Sequence, residues 1–164
     1  MDETRRVTAY IAELVGTFLL VLFIALILSV TLGFLNFKDF VLIGAVQGLT
    51  LFMLVQTLGS VSGAHFNPAV TTALAALRKI EPIDAAIYIC MQLTGAVLAA
   101  LLCKLIVHDA GAAVHDGAPL VSMGTTGLNG KAFTGMLVEL IGTFVLMWAI
   151  MGTAVNPRGA RDWA

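Results

Sequence analysis

Charge is what this sequence has least of. Acidic and basic residues make up 12% of its 164 positions, and the formal net charge is −1. Such a balance gives no argument for nucleic acid or for an acidic partner. Between Phe40 and Leu77 there is no Asp, Glu, Lys or Arg at all. Cysteine is almost missing too. Cys90 and Cys103 lie within one apolar stretch and fit neither a disulfide framework nor a metal-ligand spacing, so small apolar packing accounts for both. A cleavable leader is not expected, because Met1-Asp2-Glu3-Thr4-Arg5-Arg6 is short and polar and the apolar segment behind it is too long for a signal-peptide core. Neither an enzymatic activity nor a cofactor is expected.

What the sequence has in quantity is apolar length. With 59% hydrophobic residues and a mean hydropathy of +0.97, it reads as a polytopic membrane protein rather than a water-soluble domain. Four complete spans are expected, over residues 7–32, 40–58, 83–107 and 132–155. Asn36-Phe37-Lys38-Asp39 is a polar break after the first span, and residues 108–131 form one long loop rich in Gly and polar residues. Gly44-x-x-x-Gly48 in the second span and Gly95-x-x-x-Ala99 in the third carry the small-residue spacing that lets membrane helices approach closely.

Residues 59–78 do not fit a span. A crossing helix needs about 20 apolar residues, and the charge-free run is nearly twice that. Its middle, Ser62-Gly63-Ala64-His65-Phe66-Asn67-Pro68-Ala69-Val70, is poor in large apolar residues. Gly59-Ser60 reads as a helix stop and Asn67-Pro68 as a helix start, since Asn caps free amides and Pro suits the first helical position. About ten apolar residues after Pro68 reach only about 15 Å, half a bilayer core, before Arg78-Lys79 mark a water interface. The segment is expected to enter the membrane as irregular backbone and return as a half-helix. Such backbone survives at depth only where protein buries it or where it lines a polar cavity.

Positive residues orient the chain. With the N-terminus inside, Arg5, Arg6, Arg78, Lys79, Arg158 and Arg161 are cytoplasmic, and only Lys38, Lys104 and Lys131 face out. Both termini of the chain are thus expected on the cytoplasmic side of a cell membrane.

The first and fourth spans repeat one another. Thr8 and Ala12-Glu13-Leu14-Val15-Gly16-Thr17-Phe18-Leu19-Leu20 align with Thr134 and Val138-Glu139-Leu140-Ile141-Gly142-Thr143-Phe144-Val145-Leu146, an offset of 126 residues from Glu13 to Glu139. Three spans separate the copies, so the second enters the membrane from the opposite side, an inverted repeat whose function concentrates where broken segments meet near the midplane. The same offset places a counterpart of Asn67 at about position 193, past Ala164. Asn156-Pro157-Arg158 maps instead onto Val30-Thr31-Leu32 and reads as an ordinary cytoplasmic turn. The organisation expected is a first repeat over 1–107, a loop over 108–131, and the opening of a second repeat over 132–164.

With Ser-Gly-Ala-His-Phe-Asn-Pro-Ala-Val-Thr set after the second span and a repeated Glu-x-x-Gly-Thr-Phe, the sequence resembles the aquaporins of the major intrinsic protein family over essentially its whole length. The resemblance implies an all-α membrane fold with an aquaporin-like inverted repeat, of which this chain holds four transmembrane helices and one re-entrant half-helix. It implies a passive channel for water or a small neutral solute such as glycerol, working as a homotetramer in the lipid bilayer. By the same resemblance Asn67 offers its side-chain amide to the pore while Pro68 and Ala69 pack the half-helix ends. The carbonyls of Gly63, Ala64 and His65 form an acceptor ladder, and Glu13, Glu139 and Gln92 hold the re-entrant loops. Two departures stand out. The family's second Asn-Pro-Ala segment, with the arginine that follows it, is missing, and Gln47 occupies the second-span position that usually gives the outer constriction an aromatic.

Other readings stay open at this level. His65 is either pore-lining or a structural donor, and Gln47 faces either the pore or a neighbouring helix. Glu13 or Glu139 as the coupling site of an ion-driven transporter is a rival from another class, since carboxylates within spans are functional candidates. A non-conducting fragment is another. His108-Asp109 and His115-Asp116 belong to a solvated loop rather than a metal site, and Trp148 is a lipid or packing contact.

Overall fold

The computed structural model describes residues 3–35, 39–108 and 132–156. Most of the 108–131 loop with its His115-Asp116 pair, the Asn36-Phe37-Lys38 break and the Pro157-Arg158 turn lie outside these residues. Every described element is helical: α1 (Glu3–Leu28, continued by wider π turns over Ser29–Phe34), α2 (Phe40–Ser62), α3 (Pro68–Ala76), α4 (Pro82–Ile106) and α5 (Ala132–Ile150, continued by π turns over Met151–Val155). Four of them are long and apolar enough to cross a bilayer. The molecule is an all-α membrane protein, and its described residues hold four helices of spanning length and one half-length helix. It divides into two compact units, Met1–Gly117 and Ala118–Ala164.

In the first unit α1 is the central element, packed against both α2 and α4, while α3 rests on α4. Small residues set the α1–α4 distance. A Cβ on Gly95 would run into the Leu14 carbonyl and come within 3.1 Å of the Phe18 amide. One and two turns further on, Ala99 and Cys103 are completely buried against Leu22 and Ala25. Without a hydrophobic drive between helices in lipid, such close backbone contact supplies the dispersion that holds them together. Cys103 fills space here, and its sulfur sits 3.9 Å from the Ser29 hydroxyl. The Gly44-x-x-x-Gly48 spacing is different. A Cβ at either glycine would meet nothing within 4 Å, so within the described residues this pair opens no helix–helix contact.

The span ends depart from the sequence reading in one instructive place. Gly59-Ser60 does not stop α2, which runs on to Ser62. A glycine inside a helix costs about 1 kcal/mol, whereas a backbone amide left unpaired at membrane depth costs several. The helix persists until Gly63, whose left-handed φ of +88° closes it through a hydrogen bond from its amide to Gly59 O at 2.9 Å. At the other end Asp39 caps α2 by accepting from the Val41 and Leu42 amides.

The half-helix α3 spans nine residues, about 14 Å of rise. Asn67 is its N-cap and Pro68 its first residue, with Asn67 Oδ1 accepting from the Ala69 amide at 2.8 Å. α3 ends in a tight left-handed turn: Lys79 N donates to Leu74 O and Arg78 N to Ala75 O, with Arg78 itself at φ +56°. Pro82 then opens α4.

The second unit consists, in its described part, of α5 alone. It carries Glu139, a tilted Phe144–Trp148 ring pair at 6.0 Å, and Thr153, whose hydroxyl donates to Ala149 O.

Candidate functional site

Between the end of α2 and the Asn67 cap of α3 the chain passes through four residues, Gly63 to Phe66, three of which have a positive φ. Ala64 (φ +50°) and Phe66 (φ +47°) join Gly63 in the left-handed region, which residues with a Cβ occupy at a cost of about 1–3 kcal/mol each. Something must hold them there, and the hydrogen bonds identify it.

The carboxylate of Glu13, fully buried on α1, is the anchor. Its Oε1 accepts from Ser62 Oγ at 2.6 Å and from the His65 amide at 3.0 Å. Its Oε2 accepts from the Phe66 amide and from Gln92 Nε2, both at 2.8 Å. One carboxylate thus gathers α2, the loop and α4 onto α1. Gln92, itself buried, gives its second proton to Thr71 Oγ1 at 2.9 Å. Thr71 in turn lies 3.1 Å from His65 Nδ1. The Ala64 amide donates to Ser62 Oγ, and Tyr88 from α4 donates its phenol to Ser62 O. The Tyr88 ring meets His65 edge-on at 5.2 Å. Phe66 completes the seat by burying its ring over Gly16, where any Cβ would collide with it.

The consequence is directional. All of the loop's amides are taken by the protein: Gly63 by Gly59, Ala64 by Ser62, and His65 and Phe66 by Glu13. Among the described residues nothing donates to the carbonyl oxygens of Gly63, Ala64 and His65. Gly63 is exposed and Ala64 and His65 are half-buried, so the loop offers acceptors on its open side. Asn67 follows the same logic. Because its Oδ1 is turned to the Ala69 amide, its Nδ2 protons point away from the cap, beside the positive end of the α3 dipole.

The sequence candidates therefore divide. Glu13, Gly63, Ala64, His65, Asn67, Pro68, Ala69 and Gln92 come together in one constellation. Gln47 is half-buried on α2, about four turns from the α2–α3 loop. Glu139 belongs to the second unit. Ser62, Thr71, Tyr88 and Phe66 were not singled out from sequence. Their signal was chemical rather than periodic: a Thr or Tyr hydroxyl in an apolar span has to find a partner.

The family model described as Major intrinsic protein matches residues 1–163. The chain is 36% identical over 154 residues to nodulin-26 of Glycine max, covering 94% of this chain and 54% of that protein. It is 34% identical over 157 residues to glycerol uptake facilitator protein-like 6 of Lactiplantibacillus plantarum, covering 94% and 67%. It is likewise 34% identical over 174 residues to aquaporin AqpM of Methanothermobacter thermautotrophicus, covering 94% and 68%. The chain thus spans between about half and two thirds of the length of these relatives.

Proposed function

This chain belongs to the major intrinsic protein family, and from that premise we propose that it works as a passive transmembrane channel for water and small neutral solutes such as glycerol. The observation that carries the reading is the row of unengaged carbonyls at Gly63, Ala64 and His65, held open by the Glu13 anchor and ending at the Asn67 amide. Water leaving bulk needs replacement hydrogen bonds. A ladder of peptide oxygens supplies acceptors along one wall without a fixed charge. At its inner end, Asn67 Nδ2 and the α3 N-terminus supply donors and a positive potential, which turn a water's oxygen inward and disfavour cations. A second half-helix facing the first would complete that barrier, and the described residues carry one. The names of the relatives, which include an aquaporin and a glycerol facilitator-like protein, support water and glycerol as the solute range.

In this reading both termini of the chain are cytoplasmic, four subunits assemble, and Gln47 contributes a polar group to the outer constriction. Glu13 serves as an anchor rather than as an ion-coupling group, because its oxygens are already occupied by four donors. The test is stopped-flow shrinkage of proteoliposomes carrying the complete product of the reading frame. Faster shrinkage than in empty liposomes is expected, unaffected by collapsing proton or sodium gradients. A flux that follows either gradient would replace the channel with a coupled transporter.

A further inference from the structure

At the end of the first unit where α1 begins, α3 stops and α4 starts, a cavity of about 320 Å³ is lined by Arg6, Arg78, Lys79, Ile80, Glu81 and Asp84. We propose that this cavity binds a phosphate group, presented by an anionic lipid headgroup or as free phosphate. Four observations lead there, and none of them uses the pore.

The first is the charge left over. Three cations and two carboxylates share the cavity, but Asp84 is turned into the protein: it is buried, accepts from the Tyr10 hydroxyl at 2.6 Å and lies 3.7 Å from Arg6 Nη1. Among the described residues Arg78 and Lys79 line the cavity with neither engaged to a carboxylate, so with Asp84 taken by Arg6 and Tyr10 the remaining lining of Arg78, Lys79 and Glu81 keeps an excess of one positive charge. The second is backbone chemistry. The turn closing α3 puts Arg78 in the left-handed position that glycine normally fills. A guanidinium is kept there against the preference of the turn, adjacent to an ammonium. The third is depth. The cavity sits where α1 and α4 begin their spans, which is the level of lipid phosphates. The fourth is access: Val7 and Ile83, close in sequence to Arg6 and Asp84, are exposed apolar side chains, so acyl chains can run alongside the cavity. A guanidinium and an ammonium set together at a headgroup interface suit the phosphate oxygens of a lipid.

The chain is purified in a neutral detergent, mixed with equal amounts of phosphatidylglycerol and phosphatidylcholine, and examined by native mass spectrometry. Retention of phosphatidylglycerol over phosphatidylcholine by about tenfold is expected. In the R78G/K79Q double variant the preference disappears. Arg78→Gly relieves the left-handed strain, so the melting temperature in neutral detergent stays the same or rises. Lys79→Gln alone, at an exposed side chain, is the second variant and lowers the preference part of the way. Millimolar inorganic phosphate is the other arm: displacement of phosphatidylglycerol shows a site for phosphate from either source, and resistance to displacement shows one for the lipid. Equal retention of the two lipids by the native chain, or an undiminished preference in the folded double variant, overturns the proposal.

Discussion

Removing the Glu13 side chain would strand four donors: Ser62 Oγ, the His65 and Phe66 amides, and Gln92 Nε2. Each buried donor left unpaired costs about 1–3 kcal/mol, and the sum is comparable to the whole margin of a folded domain. Glu13→Ala is therefore expected to abolish monodisperse protein in mild detergent, as followed by size-exclusion chromatography. Gln92→Leu strands less, because it removes donors rather than the shared acceptor, and should cost about 1–2 kcal/mol in a thermal melt. A Glu13→Ala protein that melts like the native chain would show that the loop holds its shape without the carboxylate. At Gln47 the expectation concerns selectivity. Gln47→Phe in the complete protein should lower glycerol flux more than water flux, and an unchanged ratio would remove Gln47 from the constriction. How far single residues were legible follows from the kind of signal each gives. Glu13 stood out because the Glu139 copy sits in the same frame of a repeated segment and because carboxylates in spans are scarce. Thr71 and Tyr88 sit in ordinary helical spacing, and their partners become visible only once α4 lies against the loop.

At the scale of elements, α3 separates two jobs that one residue performs. Asn67 caps the helix through Oδ1, and in the proposed pore it offers Nδ2 to water. Asn67→Asp keeps the capping oxygen, so the fold should stand while proteoliposome water flux falls. Asn67→Ala loses the cap as well, at about 1 kcal/mol, and should lower both flux and melting temperature. Equal fluxes for the native protein and the Asn67→Asp variant would take the amide out of the permeation path. The two glycine spacings give a second contrast. Gly95→Ala drives a methyl into the Leu14 carbonyl and should cost about 1–3 kcal/mol, whereas Gly44→Ala meets open space and gains helix propensity. Thermal melts of the two variants check this directly. The half-helix was readable because Asn-Pro after a glycine-rich stretch is a start signal, and ten apolar residues before Arg78-Lys79 are too few to cross. The true end of α2 was not. Gly59-Ser60 looks like a stop by the rules of water-exposed helices, and membrane depth reverses the balance. Nor does an identical spacing of small residues say which pair will meet a neighbour. That depends on which face of α2 or α4 the fold turns toward α1.

For the whole molecule, the proposed tetramer predicts a particle of four chains in mild detergent, which mass photometry resolves. A monomer there would argue that each pore stands alone. The match between the Glu13 and Glu139 segments was visible in the primary structure, and α1 and α5 are the helices that carry them. Among the described residues the first copy brings together the anchor and the loop that it anchors. That arrangement also sets a timetable. α1 leaves the ribosome before α2, α3 and α4, and the groups that satisfy its carboxylate lie 49 to 79 residues further along the chain. At about 5–20 residues per second, Gln92 is polymerised roughly 4–16 s after Glu13. Throughout that interval the newborn helix carries an acid that the hydrocarbon interior rejects. Biogenesis must therefore shelter α1, in the insertion machinery or near the headgroups, until α4 arrives to fasten it in place.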